Sequence, residues 1–414
     1  MPKTKQLRIA LFIDDFYPAS GGIARSVQTQ IIELTRMGHT VTLFVPKHFL
    51  ERPAECQTVV VPSLYLPGTP SYMCILRHNQ RLARRITKQH RFDIVHSQTE
   101  RGGLVLAARI ARLLQVPHIH TFHANLAGTH ASQPFVAFWG SMAYLVLINP
   151  AVALASRKRR AVPVRFAPSS ADGPSFFARF DWHSLATIAS RVDAYTTPAQ
   201  FMIQRIGECG EGLAEQGHVI PTGINPALQT ALANTPRQRH DTTLRFLSVC
   251  RLAPEKRVDA IIQAFLLAKI PNARLDIVGP GDQRPLRKLA HGRENIVFHG
   301  GVSAPEELAA HYRNTDVFVL ASDGFDTQAM TITEAVAAGL PVIYCDQRLT
   351  VGVSEYNSLL AASGAPEDLA NCMRRIADAK LRRQLASASR RAAPDLAPSH
   401  MAKHYLALYH SLQK

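Results

Sequence analysis

Arg8-Ile-Ala-Leu-Phe-Ile13 is followed by Tyr17-Pro-Ala-Ser-Gly-Gly22, by Ile23, Val27, Ile31, Ile32 and Leu34 at helical spacing, and by Thr40-Val-Thr-Leu-Phe-Val45. This opening decides the fold. A continuous apolar run suits a strand buried on both faces of a parallel sheet. The Pro/Gly stretch is turn chemistry, and Gly38 closes the helix. Phe92-Asp-Ile-Val95, a helix over about 102–114 and Val116-Pro-His-Ile-His120 repeat the unit. Strands alternating with helices build an open, doubly wound sheet.

The rhythm breaks over 124–190 and restarts. Leu244-Arg-Phe-Leu-Ser-Val-Cys250, Ala273-Arg-Leu-Asp-Ile-Val278, Ile296-Val-Phe298, Val317-Phe-Val-Leu320 and Pro341-Val-Ile-Tyr344 read as strands. Helices are predicted between them at about 256–268, 283–290, 305–313 and 330–339. The fold class is α/β: two Rossmann-like domains facing across a cleft, with ligands at the carboxyl ends of the strands. The predicted parts are a first Rossmann-like domain over 1–220, a Pro/Gly-rich linker over 221–243 and a second Rossmann-like domain over 244–395. A C-terminal helix over 396–414 is expected to cross back to the first domain.

The 414 residues are 46% hydrophobic and 19% charged, which excludes a disordered tail and a disulfide-stapled miniprotein. Six scattered cysteines without a C-x-x-C pair point to reduced thiols and against a zinc site. The first apolar run stops at Asp14-Asp15, too soon for a secretory signal, so a cytoplasmic protein is expected. The net charge of +16 is uneven. Residues 1–200 hold 23 basic and 10 acidic side chains, a net of +13; the remainder holds 24 and 21, a net of +3. A field concentrated on one half calls for an anionic partner there, unless it is only a solvated basic surface.

The richest chemistry lies in Ala321-Ser-Asp-Gly-Phe-Asp-Thr-Gln-Ala-Met-Thr-Ile-Thr-Glu334-Ala-Val-Ala-Ala-Gly-Leu-Pro-Val342. It follows a strand and enters a helix, whose N-terminus can face an anion. Asp326 on the loop can accept hydrogen bonds from sugar hydroxyls, and Glu334 in the helix can clamp a vicinal diol. The plainer reading makes Asp326 a helix cap and Glu334 a solvated helix residue. Arg251 and Lys256 follow another strand and can bracket a diphosphate. Gly279-Pro-Gly281 closes the next strand and lets backbone approach a nucleotide. Each signal is weak alone. Three in register at strand ends are strong.

With these residues in place, the second half resembles the donor domain of a GT-B glycosyltransferase of the large retaining family four. The likeness rests on a strand followed by R-x-x-x-x-K and on an acid-x7-Glu loop–helix with A-x-A-x-G-x-P-V. Gly21-Gly22 and Ile220-Pro-Thr-Gly-Ile224 extend it through the first half. Asp326 replaces the family's first Glu and Ala329 its usual Gly, so the reach to the sugar differs. Asp326-Thr-Gln-Ala-Met330, Val95-His-Ser-Gln-Thr-Glu100 and Ile119-His-Thr-Phe-His123 resemble the bacterial diacylglycerol glucosyltransferase branch more narrowly.

The resemblance implies roles position by position. Glu334 holds the ribose, and Arg251 and Lys256 the diphosphate. Asp326 holds the donor sugar hydroxyls, with N–H groups around Gln328, Ala329 and Met330 supporting phosphate or sugar. Gly22 packs its backbone against the donor phosphate, and His123 lies beside the reacting centre. Without the family, His123 reads as a core histidine. No D-x-D triad occurs, so no metal and no cofactor are expected. A nucleotide sugar, UDP-glucose, is the implied co-substrate. The family retains the anomeric configuration by front-face attack within an ion pair.

Two features of the basic half suit an anionic membrane surface. Arg77, Arg81, Arg84, Arg85 and Lys88 fall at i, i+4, i+7, i+8 and i+11, a stripe along one helix face; the plainer reading is a solvated face. Residues 134–155 are apolar and are followed by Arg157, Lys158, Arg159 and Arg160, and no charged residue occurs from 124 to 156. Asn149 and Pro150 are expected to interrupt this segment, so an interfacial seat is preferred over a span or a buried helix. The function expected is hexose transfer, glucose foremost, to a lipid acceptor, diacylglycerol, by a protein peripheral on the inner face of the cell membrane. Mannosyl transfer to phosphatidylinositol and transfer to a soluble or polyprenyl-linked acceptor stay open. A nucleic-acid partner is disfavoured, because the excess charge lies where aromatic platforms and recognisable motifs are lacking.

Overall fold

Long β-branched and leucine-rich runs are stable as strands only when both faces are covered, and each half of the chain satisfies this with helices on two sides. The computed structural model describes residues 6–15, 21–47, 54–65, 73–132, 134–158, 162–167, 176–238 and 241–413. One unit comprises Met1–Thr222 with Pro398–Lys414, and the other Gly223–Ala397.

The first unit holds a seven-stranded parallel sheet in the order Gln57–Val61, Thr40–Pro46, Arg8–Phe12, Ile94–Ser97, His118–Thr121, Ala194–Thr197 and Gly217–Val219. The order reverses between Arg8–Phe12 and Ile94–Ser97, which makes that crevice the topological switch point. Helix Gly22–Arg36 lays Val27, Ile31 and Leu34 against Ile9 and Leu11. Helix Pro398–Ser411 joins the same core through Met401, Tyr405 and Tyr409.

The second unit holds a six-stranded parallel sheet in the order Ile296–Gly300, Ala273–Val278, Leu244–Val249, Val317–Val319, Val342–Tyr344 and Ser358–Leu360. Phe246, Leu275, Val317 and Ile343 meet helices Val258–Ala268 and Pro366–Ile376 on one face. Its switch point lies between Leu244–Val249 and Val317–Val319.

Three expectations are corrected. The segment read as a linker over 221–243 contains helix Pro226–Asn234, whose Leu228, Ala231 and Leu232 enter the core of the second unit beside Phe318. Pro226 is a helix-start residue here, capped by Asn225, whose Oδ1 accepts from the Ala227 N–H at 2.8 Å. Asn149 and Pro150 do not break the apolar segment. Pro134–Ala143 continues through one wider π turn, Tyr144–Ile148, into Asn149–Ala155, and this turn absorbs the N–H that Pro150 lacks. Arg77 lies off the basic helix, which spans Gln80–Gln89 and is started by Asn79, whose side chain accepts from the Leu82 N–H at 2.9 Å. Arg77 instead follows the short strand Cys74–Leu76, and its N–H donates to the Pro62 carbonyl.

Candidate active site

In the second unit the switch point brings two sequence-distant signals together. The loop after Leu244–Val249 carries Arg251 and Lys256, and the loop after the neighbouring strand Val317–Val319 carries Asp326. Lys256 Nζ sits 2.6 and 2.7 Å from the two Asp326 carboxylate oxygens, with both side chains nearly buried. The ammonium also lies 5.1 Å from the centre of the Phe325 ring. Arg251 is half exposed and pairs with Glu255 at 2.8 Å. Backbone adjacency, not sequence spacing, assembles this cluster.

Helix Met330–Ala337 begins at Ala329 with no side chain capping it. Gln328 turns its Nε2 onto Thr333 Oγ1 at 3.1 Å. Glu334 is not a solvated helix residue: it is 3% exposed, and its Oε2 accepts from the Tyr312 hydroxyl at 2.7 Å. Gly279 has a reason within the fold as well. Its φ of +151 and the Cys250 carbonyl, 1.7 Å from where a Cβ would stand, require glycine for the fold itself. Its N–H is given to the Gly300 carbonyl.

In the first unit Gly22 opens helix Gly22–Arg36, and a Cβ there meets nothing within 4 Å among the described residues. His123 follows strand His118–Thr121. Its Nε2–H donates to Gln98 Oε1 at 2.7 Å, Gln98 Nε2 donates to Gln30 Oε1 at 2.9 Å, and Gln30 Nε2 donates to the Tyr409 hydroxyl at 2.8 Å. Tyr409 Oη lies 2.7 Å from His96 Nδ1. Each amide orients the next, so a hydrogen-bonded chain runs from the C-terminal helix to His123. Removal from water pushes the imidazole down to about 4; nearby Glu100 opposes this and His120 adds to it. The ring is neutral at pH 7.

In the same unit, Asp14 is fully buried and saturated. It accepts from the N–H groups of Leu76 (2.7 Å) and Gly103 (2.9 Å) and from Thr99 Oγ1 (2.6 Å), while Arg101 pairs with Asp15. These ties fix the Ser97–Glu100 segment. Asp14, Gln30, Glu100, Tyr312 and Tyr409 were not singled out in the sequence. Gln98 and Glu100 stood in the quoted His-Ser-Gln-Thr-Glu stretch, while nothing local marks Tyr409.

The membrane candidates divide. Arg81, Arg84, Arg85 and Lys88 are exposed and make no ion pair among the described residues, while Ala83 and Ile86 hold the helix to the core. Arg157 and Lys158 do not serve as free surface cations. Arg157 pairs with Asp193 at 2.7 Å, and Lys158 Nζ donates to the Val192 carbonyl and Gln216. Arg159 and Arg160 lie outside the described residues. The stretch Phe138–Ala155 is long and apolar enough to cross a membrane by composition, yet it is only 22% buried. Phe138, Trp139, Val146, Leu147 and Leu154 are exposed on it. Among the described residues no three His, Cys, Asp or Glu side chains gather as a metal site.

A family model described as Glycosyltransferase Family 4 matches residues 20–228, and one described as Glycosyl transferases group 1 matches residues 243–379. The chain belongs to glycosyltransferase family four. This glycosyltransferase is 27% identical over 352 residues to an alpha-monoglucosyldiacylglycerol synthase of Streptococcus pneumoniae, covering 81% of this chain and 70% of the relative. It is 27% identical over 356 residues to a GDP-mannose-dependent alpha-mannosyltransferase of Mycolicibacterium smegmatis, covering 82% and 80%. Its fold matches the crystal structure of Anabaena Alr3699/HepE in complex with UDP and glucose, with TM-score 0.64 and 15% identity over 98% of this chain and 100% of that one. The glycosyltransferase thus has the GT-B fold, and a nucleotide sugar is its co-substrate.

His123 yields one prediction. A histidine whose folded pKa is depressed stabilises the fold fully above the unfolded value of 6.5 and loses that contribution as pH falls toward about 4. The stability difference between the glycosyltransferase and its His123→Gln variant should be flat above pH 6.5 and shrink between 6.5 and 4 in denaturant titrations. A difference that does not change with pH would show that His123 is not held neutral.

Proposed function

We propose that the chain is a retaining hexosyltransferase that moves glucose from UDP-glucose to the hydroxyl of diacylglycerol at the inner face of the cell membrane. The observation that carries the lipid acceptor is the exposed apolar helix face of Phe138, Trp139, Val146, Leu147 and Leu154 on the unit that also bears His123. A soluble acceptor gives no reason for such a face; an interfacial seat does. The likeness to two alpha-monoglucosyldiacylglycerol synthases, from Streptococcus pneumoniae and Acholeplasma laidlawii, supports the same acceptor class.

In this reading Arg251 and Lys256 take the diphosphate, Asp326 the hexose hydroxyls and Glu334 the ribose. The bond between the anomeric carbon and the diphosphate oxygen breaks with its electron pair going to UDP. The cations stabilise that charge. The acceptor oxygen bonds to the anomeric carbon from the face that UDP leaves, and its proton passes to the departing phosphate oxygen. Neutral His123, held by Gln98, orients the acceptor hydroxyl. Proton NMR of the isolated glycolipid tests retention: an α-anomeric coupling supports it, and a β-coupling contradicts it.

Lys256 and Asp326 separate by readout. Lys256→Ala should weaken both UDP-glucose and free UDP by tenfold or more, because it removes a phosphate cation. Asp326→Asn should raise the KM for UDP-glucose while leaving UDP affinity within a few-fold. Equal loss of UDP in both variants would remove Asp326 from the sugar subsite. A second reading, transfer of mannose from GDP-mannose, is favoured by equal identity to the mycobacterial mannosyltransferase, and the same titrations with GDP decide it.

A further inference from the structure

The second unit contains a recess of about 470 Å³ whose wall is built from cations. Thr315-Asp316 lead from it into strand Val317–Val319, and Gly339-Leu340 lead toward strand Val342–Tyr344. It therefore opens at the amino ends of these parallel strands. Arg251, Lys256 and Asp326 follow carboxyl ends, so the recess opens at the other end of the strands from them; Tyr312, which lines it, donates to Glu334 on the far side of its wall.

Arg237, Arg313, Arg382, Arg383 and Arg390 line it, and Asp316 is the one carboxylate among the lining residues. Asp316 is already bound by Arg237 at 2.6 Å and by the Arg245 N–H. Five guanidinium groups against one carboxylate leave the wall at +4. Backbone carbonyls hold three of these cations without neutralising them. Arg313 donates to the Leu232 carbonyl, Arg382 to those of Ile376 and Ala377, and Arg383 to that of Ala379. Arg390 crosses over Gly339, where a Cβ would stand 2.8 Å from its Cγ. A merely solvated basic face would let long side chains splay apart. Here carbonyls tether Arg313, Arg382 and Arg383 beside a concavity, which focuses the field, and each of these guanidinium groups has donors left over for a forked oxyanion.

We propose that this recess binds a phosphate-bearing ligand other than the nucleotide sugar, with Arg382, Arg383 and Arg390 around the phosphoryl oxygens. A soluble phosphate ester and a phospholipid headgroup share this chemistry. The test uses the full chain with its donor site blocked by saturating UDP and, separately, GDP. Pyrophosphate is titrated calorimetrically at low salt into the wild type and the Arg382→Gln/Arg383→Gln/Arg390→Gln variant. Cosedimentation with phosphatidylglycerol vesicles is run in parallel. We expect pyrophosphate to bind one equivalent of wild type and the triple variant to weaken it at least tenfold, with nucleoside diphosphate affinity unchanged; this marks a soluble phosphate ligand. No pyrophosphate heat, with vesicle binding lowered at least tenfold in the variant, supports the site and assigns it to a lipid headgroup. Wild type and variant alike in both arms overturn the proposal. So does a parallel loss of nucleoside diphosphate affinity, because the recess would then be part of the donor site.

Discussion

Glu334→Gln should lower kcat/KM by about 100-fold while moving the melting temperature by no more than a few degrees. Glutamine can still accept from the Tyr312 hydroxyl, now 2.7 Å from the carboxylate, so the buried contact survives. What it loses is the charge and the second acceptor needed to clamp a ribose diol. Losing one charge-assisted hydrogen bond, at about 1.5–3 kcal/mol, makes a loss of up to this order. Because the ribose is common to donor and product, UDP affinity should fall along with kcat/KM. Alanine is the poorer probe: it strands a buried hydroxyl, at about 1–3 kcal/mol, and mixes folding with binding. Steady-state kinetics, UDP titration and thermal unfolding on the same preparation separate these effects. A folded Gln variant with near-normal kcat/KM would return Glu334 to a purely structural bond with Tyr312.

Changing Arg81, Arg84, Arg85 and Lys88 together to Gln should release the protein from anionic vesicles. These four cations are exposed and unpaired among the described residues, and each is worth about 1 kcal/mol near an anionic surface. Before screening this gives about 4 kcal/mol, a loss of partitioning of up to about 1000-fold. The wild type should behave in the same direction when salt is added, since exposed charges are screened within about 8 Å at physiological ionic strength. Residual binding to neutral lecithin vesicles belongs to Phe138, Trp139, Val146, Leu147 and Leu154, and salt should not weaken it. Turnover of a short-chain, detergent-dispersed acceptor should change little. If the quadruple variant cosediments with anionic vesicles like wild type at low salt, the helix is a solvated face and the apolar helix alone supports the membrane reading.

The parallel strands were legible in the sequence because double burial writes a strand as an unbroken apolar run, as in Ile9–Phe12. Strands that lack such a run were not legible. Gly217–Val219 is three residues long, and Ala194–Thr197 is half polar because its threonine hydroxyls serve buried hydrogen bonds such as Thr196 to Thr121. Lys256 and Asp326 were legible singly, but their ion pair was not. It follows from the pairing of two strands some 70 residues apart, which no local pattern encodes. Tyr409 was the least visible: its part depends on a chain of two amides reaching His123 from the far end of the sequence. The need of Gly279 to make room for the Cys250 carbonyl was not legible, since a glycine at a strand end looks the same whether a nucleotide or a neighbouring carbonyl comes close.

Transfer of label from a nucleotide sugar to a lipid tests the central claim most directly. UDP-glucose, UDP-galactose and GDP-mannose, each labelled in the sugar, are incubated with the enzyme and mixed vesicles containing diacylglycerol and phosphatidylinositol, then extracted into organic solvent. The account predicts organic-phase label from UDP-glucose, dependent on diacylglycerol and abolished to within a few per cent by Glu334→Gln. Label remaining in the aqueous phase for every donor would contradict it.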